Sequence, residues 1–188
     1  EQILLTASHT HTGPMLLLKA SDQDGLTAGD LQRNVEYTRR LQDKVVEVVR
    51  RATARLEPAR LSWGVGVVPF VMNRREFTAK GVILGVNPRG LADRSAPVLR
   101  IDTPDGKLRA VLFGAAVHGT TLTERNYELC GDYAGFAQAY VQDKHPSAQA
   151  LFMIGCAGDA NPYPRGTMAL ARKHGNALGE EVCRVLAT

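Results

Sequence analysis

Two histidines in the first dozen residues are the side chains best suited to chemistry. His9 and His11 lie two residues apart in the stretch 6–14, Thr-Ala-Ser-His-Thr-His-Thr-Gly-Pro. The apolar residues 2–5 before it predict a buried strand, and the Gly-Pro at its end predicts a turn. Because strand side chains alternate between two faces, both imidazoles would point to the same side. Such a pair can bind a metal ion, or one imidazole can bind it while the other moves protons; the alternative is a polar strand-to-loop corner bonded to backbone.

Polar residues also follow two later apolar strands. His118 comes at the end of the predicted strand 108–117, and the sequence Gly-Asp-Ala-Asn-Pro at 158–162 follows the predicted strand 150–154. Ligand sites in open α/β sheets gather beyond the carboxyl ends of strands, so we expect these two ends to converge with His9. A second interpretation of His118 stays open, in which its ring closes the sheet end through a backbone hydrogen bond.

Asn161 and Arg74 are further candidates for a site. The loop that carries Asn161 could offer amide groups to a developing oxyanion, or it could be an ordinary Gly-Asp-x-Asn-Pro turn. Arg74, in the sequence Asn-Arg-Arg, could clamp a carbonyl group or an anion, or could belong to a solvated loop. Asp132 is expected to cap a helix, and His174 is expected to pack within one.

Hydrophobic periodicity predicts the elements that must position these residues. An amphipathic helix is predicted from residue 31 to 56, capped by Thr27 and Asp30 and ended by Pro58. A long loop is predicted over residues 68–95, because it holds prolines, glycines and the Asn-Arg-Arg cluster. The remaining predicted elements are strands at 61–67, 98–102, 108–117 and 150–154 and helices at 132–143 and 170–186. Together they predict a layered α/β domain with a mixed β-sheet covered by helices, in which the apolar strand 108–117 is buried on both faces.

Composition limits the classes of function. A chain of 188 residues, 44% apolar and 22% charged, fits one globular domain with a core. A net charge of +4 is too small to indicate a nucleic-acid partner. No apolar run reaches the length of a transmembrane segment. The three cysteines, odd in number and widely spaced, are expected to be buried thiols, and nothing in the sequence indicates an oligomeric state.

The order of the motifs resembles that of the neutral/alkaline (non-lysosomal) ceramidases, in a bacterial-type member of the family. The most specific piece is His-Thr-His-Thr-Gly-Pro at 9–14, and the ordered set is more specific than any one motif. The motifs that carry the resemblance are 9–14, Asn-Arg at 73–74, Val-His-Gly-Thr at 117–120, Gly-Asp-Tyr at 131–133 and Gly-Asp-Ala-Asn-Pro at 158–162. The resemblance implies that residues 1–188 are part of a single N-terminal α/β catalytic domain, truncated at both ends.

The resemblance also implies a chemistry. Members of this family use one zinc ion to hydrolyse the amide of ceramide to sphingosine and a fatty acid. By this likeness His9 and His118 would be zinc ligands, and His11 and Arg74 would line the active site. The remaining ligands, a Glu and a Tyr, would lie beyond this segment. The substrate would be a small-molecule or lipid N-acyl compound, and the resemblance favours a secreted or periplasmic location.

One departure from the family pattern keeps alternatives open. Ceramidases carry a catalytic serine where this chain has Asn161, and an amide cannot act as a hydroxyl nucleophile. We therefore expect Asn161 to position the substrate. The alternatives are a zinc hydrolase of the same fold acting on another substrate and a non-catalytic binding domain.

Overall fold

The computed structural model describes residues 3–19 and 25–188, which fall into two compact units. The smaller unit comprises residues 13–19 and 25–58 and is built on helix α1 (Ala28–Thr53). Its predicted cap is confirmed: Thr27 and Asp30 form a reciprocal capping box. The helix ends five residues before Pro58, and residues 20–24 lie outside the described residues.

The larger unit comprises residues 3–12 and 59–188 and holds the remaining elements. In chain order these are β1 (Arg60–Val67), β2 (Val71–Thr78), β3 (Gly81–Asn87), β4 (Ser95–Asp102), β5 (Leu108–Ala115), α2 (Asp132–Lys144), β6 (Gln149–Ile154), β7 (Ala160–Pro162) and α3 (Met168–Leu186). The strands and helices predicted within residues 59–188 are therefore confirmed, with ends shifted by a few residues.

A mixed four-stranded sheet organises the larger unit. Its order is β1-β4-β5-β6, with β5 and β6 parallel and the other pairs antiparallel, which confirms the predicted α/β class and mixed sheet. Helices α2 and α3 pack on each other, and the rings of Tyr133, Phe113 and Phe152 meet edge to face beneath α2, with centroids 5.7 and 5.8 Å apart. This layer is the core.

The opposite face of the same sheet is open among the described residues. Trp63 on β1 is 78% exposed, and Leu112 on β5 and Met153 on β6 are only partly buried. The prediction that strand 108–117 is covered on both faces is therefore wrong. Alternate residues of β5 point to opposite sides, and only the side of Val111 and Phe113 meets the helices.

Two further predictions are corrected. Residues 68–95 are not a loop: β2 and β3 form a hairpin, and β7 adds a third strand to it. Of the breakers that suggested a loop, Pro69, Pro88 and Gly90 lie outside the strands, whereas Gly81 and Gly85 lie in β3. Gly81 directly follows the tight turn of the hairpin, where its φ of 114° suits glycine. Residues 3–5 are not a buried strand, because no strand pairs with them and their side chains are 61–74% exposed; Gln2 lies outside the described residues.

The predicted burial of the cysteines holds for two of the three. All three thiols are free; Cys130 and Cys183 are half-buried, but Cys156 is exposed in the loop after β6, so its predicted burial is wrong. Among the described residues, none of the helices combines the length and the apolarity needed to cross a bilayer.

His174 packs inside α3, as predicted, and should make stability depend on pH. Its Nε2 donates to the carbonyl of Pro164 at 2.6 Å, and its ring stacks on Phe70 at 4.5 Å. Burial lowers the pKa of His174 below its usual value, against the opposing effect of that hydrogen bond. The unfolded chain takes up a proton near pH 6.5, so the stability due to the neutral ring is complete above that pH and is lost as the pH falls through the lower folded-state pKa.

We therefore expect the free energy of unfolding of the full-length protein to fall more between pH 7.5 and 5.0 than that of a His174→Gln variant. The maximum slope for one such group is about 1.4 kcal/mol per pH unit. Urea unfolding of both proteins in the presence of a chelator measures this difference. Equal pH dependence in the two proteins would contradict the assignment.

Candidate metal centre

Three imidazoles from two distant parts of the chain meet at one point. Nε2 of His9 lies 2.9 Å from Nε2 of His118 and 3.3 Å from Nε2 of His11. One ligand atom from each of the three rings lies within 4.8 Å of the others. The expected convergence of His9 with His118 is therefore found, although 109 residues separate them.

The arrangement fits a metal such as zinc. Zinc–imidazole bonds of 2.0–2.1 Å in tetrahedral geometry place two nitrogens about 3.3 Å apart. The His9–His11 separation of 3.3 Å equals this value, and the His9–His118 separation of 2.9 Å is somewhat shorter. Nδ1 of His118 donates to the carbonyl of Ala157 at 2.8 Å, and this leaves its Nε2 with a free electron pair. The backbone hydrogen bond of the second interpretation is thus present, and it orients the ring for binding.

The surroundings of His118 and His11 favour the neutral ring, which is the form that binds metal. Burial lowers the pKa of His118, with smaller contributions from the charges of Arg74 and the two other histidines, against the raising effect of its bond to Ala157. Burial likewise lowers the pKa of His11, followed by the charges of His9 and Arg74.

Two threonines hold the first two histidines in place. In residues 9–12 the side chains alternate, so that the hydroxyls of Thr10 and Thr12 each donate to the carbonyl of Cys130 at 2.8 Å. The backbone nitrogen of His11 donates to the carbonyl of Gly119 at 3.2 Å. His9 has a φ of 54°, a left-handed conformation that is uncommon for a residue other than glycine. These contacts hold the segment in that conformation. The alternation of histidine and threonine in residues 9–12 is the sequence signal for Thr10 and Thr12, which the motif-based prediction did not include.

His118 is fixed by the end of the core sheet. Its backbone nitrogen donates to the carbonyl of Ala160 at 3.0 Å. The carbonyl of the preceding Val117 accepts from the hydroxyl of Tyr133 at 2.5 Å. Both Val117 and Tyr133 are fully buried, so His118 directly follows a buried, hydrogen-bonded segment of the core.

The prediction that Asp132 caps a helix is wrong. The helix is preceded by Gly131, and the fully buried carboxyl of Asp132 accepts instead from the backbone nitrogens of Leu122 at 2.9 Å and Tyr133 at 2.6 Å. The loop after His118 is thereby tied to the start of α2.

Arg74 and Asn161 face each other on neighbouring strands β2 and β7. The guanidinium of Arg74 donates to Oδ1 of Asn161 at 3.3 Å and, through Nε and Nη2, to the carbonyl of Gly158 at 3.1 and 2.9 Å. The hydroxyl of Thr120 also donates to Oδ1 of Asn161, at 3.1 Å. Because two donors face Oδ1, the Nδ2 group of Asn161 points the other way. Thr120 is a member of this network that sequence reasoning did not single out.

The geometry thus brings all five predicted site residues into one region of the larger unit. The three histidines are in contact, and Arg74 is close enough for its charge to act on His11 and His118. An open depression of about 290 Å³ lies beside His9 and His118 and reaches Gly158, whose carbonyl binds Arg74. The arrangement can hold a metal ion next to hydrogen-bond donors, with room for a ligand.

Comparisons with known proteins agree with the motifs. No family model matches the chain. Neutral ceramidase A of Dictyostelium discoideum is 25% identical over an alignment of 185 positions that covers 88% of this chain and 24% of that protein. The neutral ceramidase of Mycobacterium tuberculosis is 29% identical over an alignment of 149 positions that covers 73% of this chain and 21% of that protein. The chain spans about a quarter of the length of these relatives.

Solved structures share the fold. The neutral ceramidase from Pseudomonas aeruginosa superposes with a TM-score of 0.63 and 20% identity, covering 87% of this chain and 27% of that one. A ceramidase complexed with C2 gives a TM-score of 0.68 and 21% identity, covering 97% of this chain and 30% of that one. The resemblance that the ordered motifs indicated is therefore confirmed: in sequence and in fold, this chain is similar to a part of the neutral ceramidases.

Proposed function

We propose that the chain is part of a single catalytic domain of a zinc-dependent hydrolase of amide (N-acyl) bonds, with ceramide or a related N-acyl compound as substrate. The observation that carries the proposal is the meeting of His9, His11 and His118 at separations of 2.9 and 3.3 Å between Nε2 atoms. The likeness to proteins named neutral ceramidases supports the choice of reaction.

His9 and His118 would hold the zinc ion, together with ligands from the rest of a longer protein. Bound zinc would supply a Lewis acid that polarises a carbonyl group and lowers the pKa of water. His11 would act as the general acid/base, because its Nε2 faces the same point and can move a proton at the reacting carbonyl or the leaving nitrogen.

Arg74 and Asn161 would stabilise the developing charge. Arg74 is held by the carbonyl of Gly158, so its remaining N–H groups are fixed in direction. Asn161 cannot attack the carbonyl, but Nδ2, pointing away from Arg74 and Thr120, can donate to an oxyanion. One lost donor of this kind costs about 10²–10³ in kcat.

Metal removal tests the proposal in the full-length protein. We expect the purified protein to contain about one zinc per chain. Dialysis against a chelator should abolish hydrolysis of ceramide and of soluble N-acyl compounds, and added zinc should restore it. Elemental analysis and product chromatography measure the two quantities. Activity that survives complete loss of metal would contradict the proposal.

A second candidate keeps the metal and the reaction but changes the substrate. It is favoured by Asn161, whose side chain stands where the resembling family has serine and is already bonded to Arg74 and Thr120. Hydrolysis of soluble N-acyl compounds without hydrolysis of ceramide would support this candidate.

A further inference from the structure

We infer that Arg165 and the groove beside Asn161 form a subsite for an anionic group, so that the preferred substrate is an N-acyl compound bearing a carboxylate or another anionic oxygen group. This inference rests on the proposed function and names its substrate class. Arg165 would be the residue that determines specificity.

The groove adjoins the candidate site. It has a volume of about 210 Å³ and lies along the β2–β3 hairpin and the segment after β7. Apolar lining comes from Met72, Leu84, Val86 and Tyr163, and two polar side chains, Asn161 and Arg165, complete it. Because Asn161 belongs both to the groove and to the network of Arg74, a ligand in the groove would extend from the reacting centre.

Among the described residues no carboxylate forms an ion pair with the arginines of this region, although Glu76 accepts from the backbone nitrogen of Val86 in the groove wall at 3.0 Å. These arginines are Arg165 and its neighbours Arg74 and Arg75; Arg74 and Arg75 both donate to the carbonyl of Gly158. Arg165 is close enough to Arg74 and His11 to act on them electrostatically. Burial is the larger cause of the lowered pKa of both groups, and the charge of Arg165 contributes to it. An acidic residue, Asp159, acts in the opposite direction on Arg74.

Arg74 and Arg165 lie at different places and would therefore have different roles. Arg74 is bonded to Asn161 and so belongs to the reacting centre. Arg165 lines the groove instead, where it would meet a part of the substrate that does not react. A guanidinium pairs with the planar oxygens of a carboxylate or with a phosphate, and the apolar lining suits the methylene groups between that anion and the amide.

Matched substrates test the inference in the zinc-loaded full-length protein. The pair N-octanoylglycine and N-octanoylmethylamine differs in the carboxylate, and N-octanoylaminomethylphosphonate supplies a phosphonate in its place. Hydrogen bonds to charged groups contribute about 1.5–3 kcal/mol, or roughly 10- to 150-fold. We expect Arg165→Gln to lower kcat/KM for the anionic substrates, relative to kcat/KM for the neutral amide, by this factor and mainly through KM.

Two further variants complete the design. Arg165→Lys should keep part of the preference because it keeps the charge, and the exposed Arg60→Gln on β1 should keep all of it. The relative rates with carboxylate and phosphonate identify which anion the subsite takes. Equal loss on anionic and neutral substrates, or no loss on either, would overturn the inference.

A binding measurement separates this inference from the proposed hydrolysis. Calorimetry with the metal-free full-length protein measures the Kd of N-octanoylglycine and of the neutral amide. We expect tighter binding of the anion, reduced about 10-fold or more by Arg165→Gln. If the protein hydrolyses nothing but binds the anion through Arg165, the subsite stands and the proposed function fails. If binding does not depend on Arg165, the inference is overturned, whatever the protein hydrolyses.

Discussion

Replacing His9 with alanine is expected to remove zinc and to abolish amide hydrolysis in the full-length protein. Nε2 of His9 is the atom common to both short contacts of the cluster, with His118 at 2.9 Å and His11 at 3.3 Å. Loss of a residue that merely supports a metal ligand costs about 10- to 100-fold in metal affinity, and we expect the loss of a ligand to exceed this range.

Zinc content by elemental analysis and kcat/KM for an N-acyl substrate measure the two effects. His145→Ala is the matched control: this histidine lies at the end of α2, is half-buried and makes no contact with the cluster. Full zinc occupancy in the His9→Ala variant would refute the ligand role, and full turnover would refute the mechanism.

Gly119→Ala is expected to impair metal binding almost as strongly without altering a ligand. A Cβ at Gly119 would lie 2.6 Å from the carbonyl oxygen of His9 and 2.9 Å from the Cα of Thr10, and both contacts are with backbone. The segment that carries His9 and His11 must therefore move away from His118. We expect zinc affinity to fall about 100-fold and stability to fall by about 1–3 kcal/mol.

Gly135→Ala provides the control for this prediction. Gly135 lies in α2 with no atom within 4 Å of the added Cβ, so alanine there should leave zinc binding intact and favour the helix by up to about 1 kcal/mol. Zinc titration and urea unfolding of both variants test the pair. Wild-type zinc affinity in Gly119→Ala would show that the close approach does not fix the histidines.

The sequence predicted the part of the site that local patterns encode. Alternation placed His9 and His11 on one side, and the apolar strand before His118 pointed to a sheet end where ligands gather. Arg165 was not predicted, because no motif surrounds it and its role depends on a groove formed by the hairpin of β2 and β3. That hairpin was itself mistaken for a loop, since Gly81 and Gly85 lie within β3 and the prolines lie just outside the strands.

The wrong strand prediction at residues 3–5 has a different cause. An apolar run indicates that residues avoid water, but a strand also needs a hydrogen-bonded neighbour, which sequence alone does not supply. Residues 3–5 lack such a neighbour among the described residues and are exposed, whereas β7, only three residues long, pairs with β2 and places Asn161.

The separation of the histidines along the chain links metal uptake to folding. Residues 9 and 118 can meet only after the central sheet, the loop that follows it and the N-terminal segment have all assembled, so an unfolded chain would present no comparable chelator. Zinc would then bind the native form alone and stabilise it by RT ln(1 + [Zn]/Kd), about 2.7 kcal/mol at a hundredfold excess over Kd. Zinc binding would in that case stabilise the whole assembled unit and not only the metal site. The zinc content of a preparation would then report the fraction of molecules with native topology.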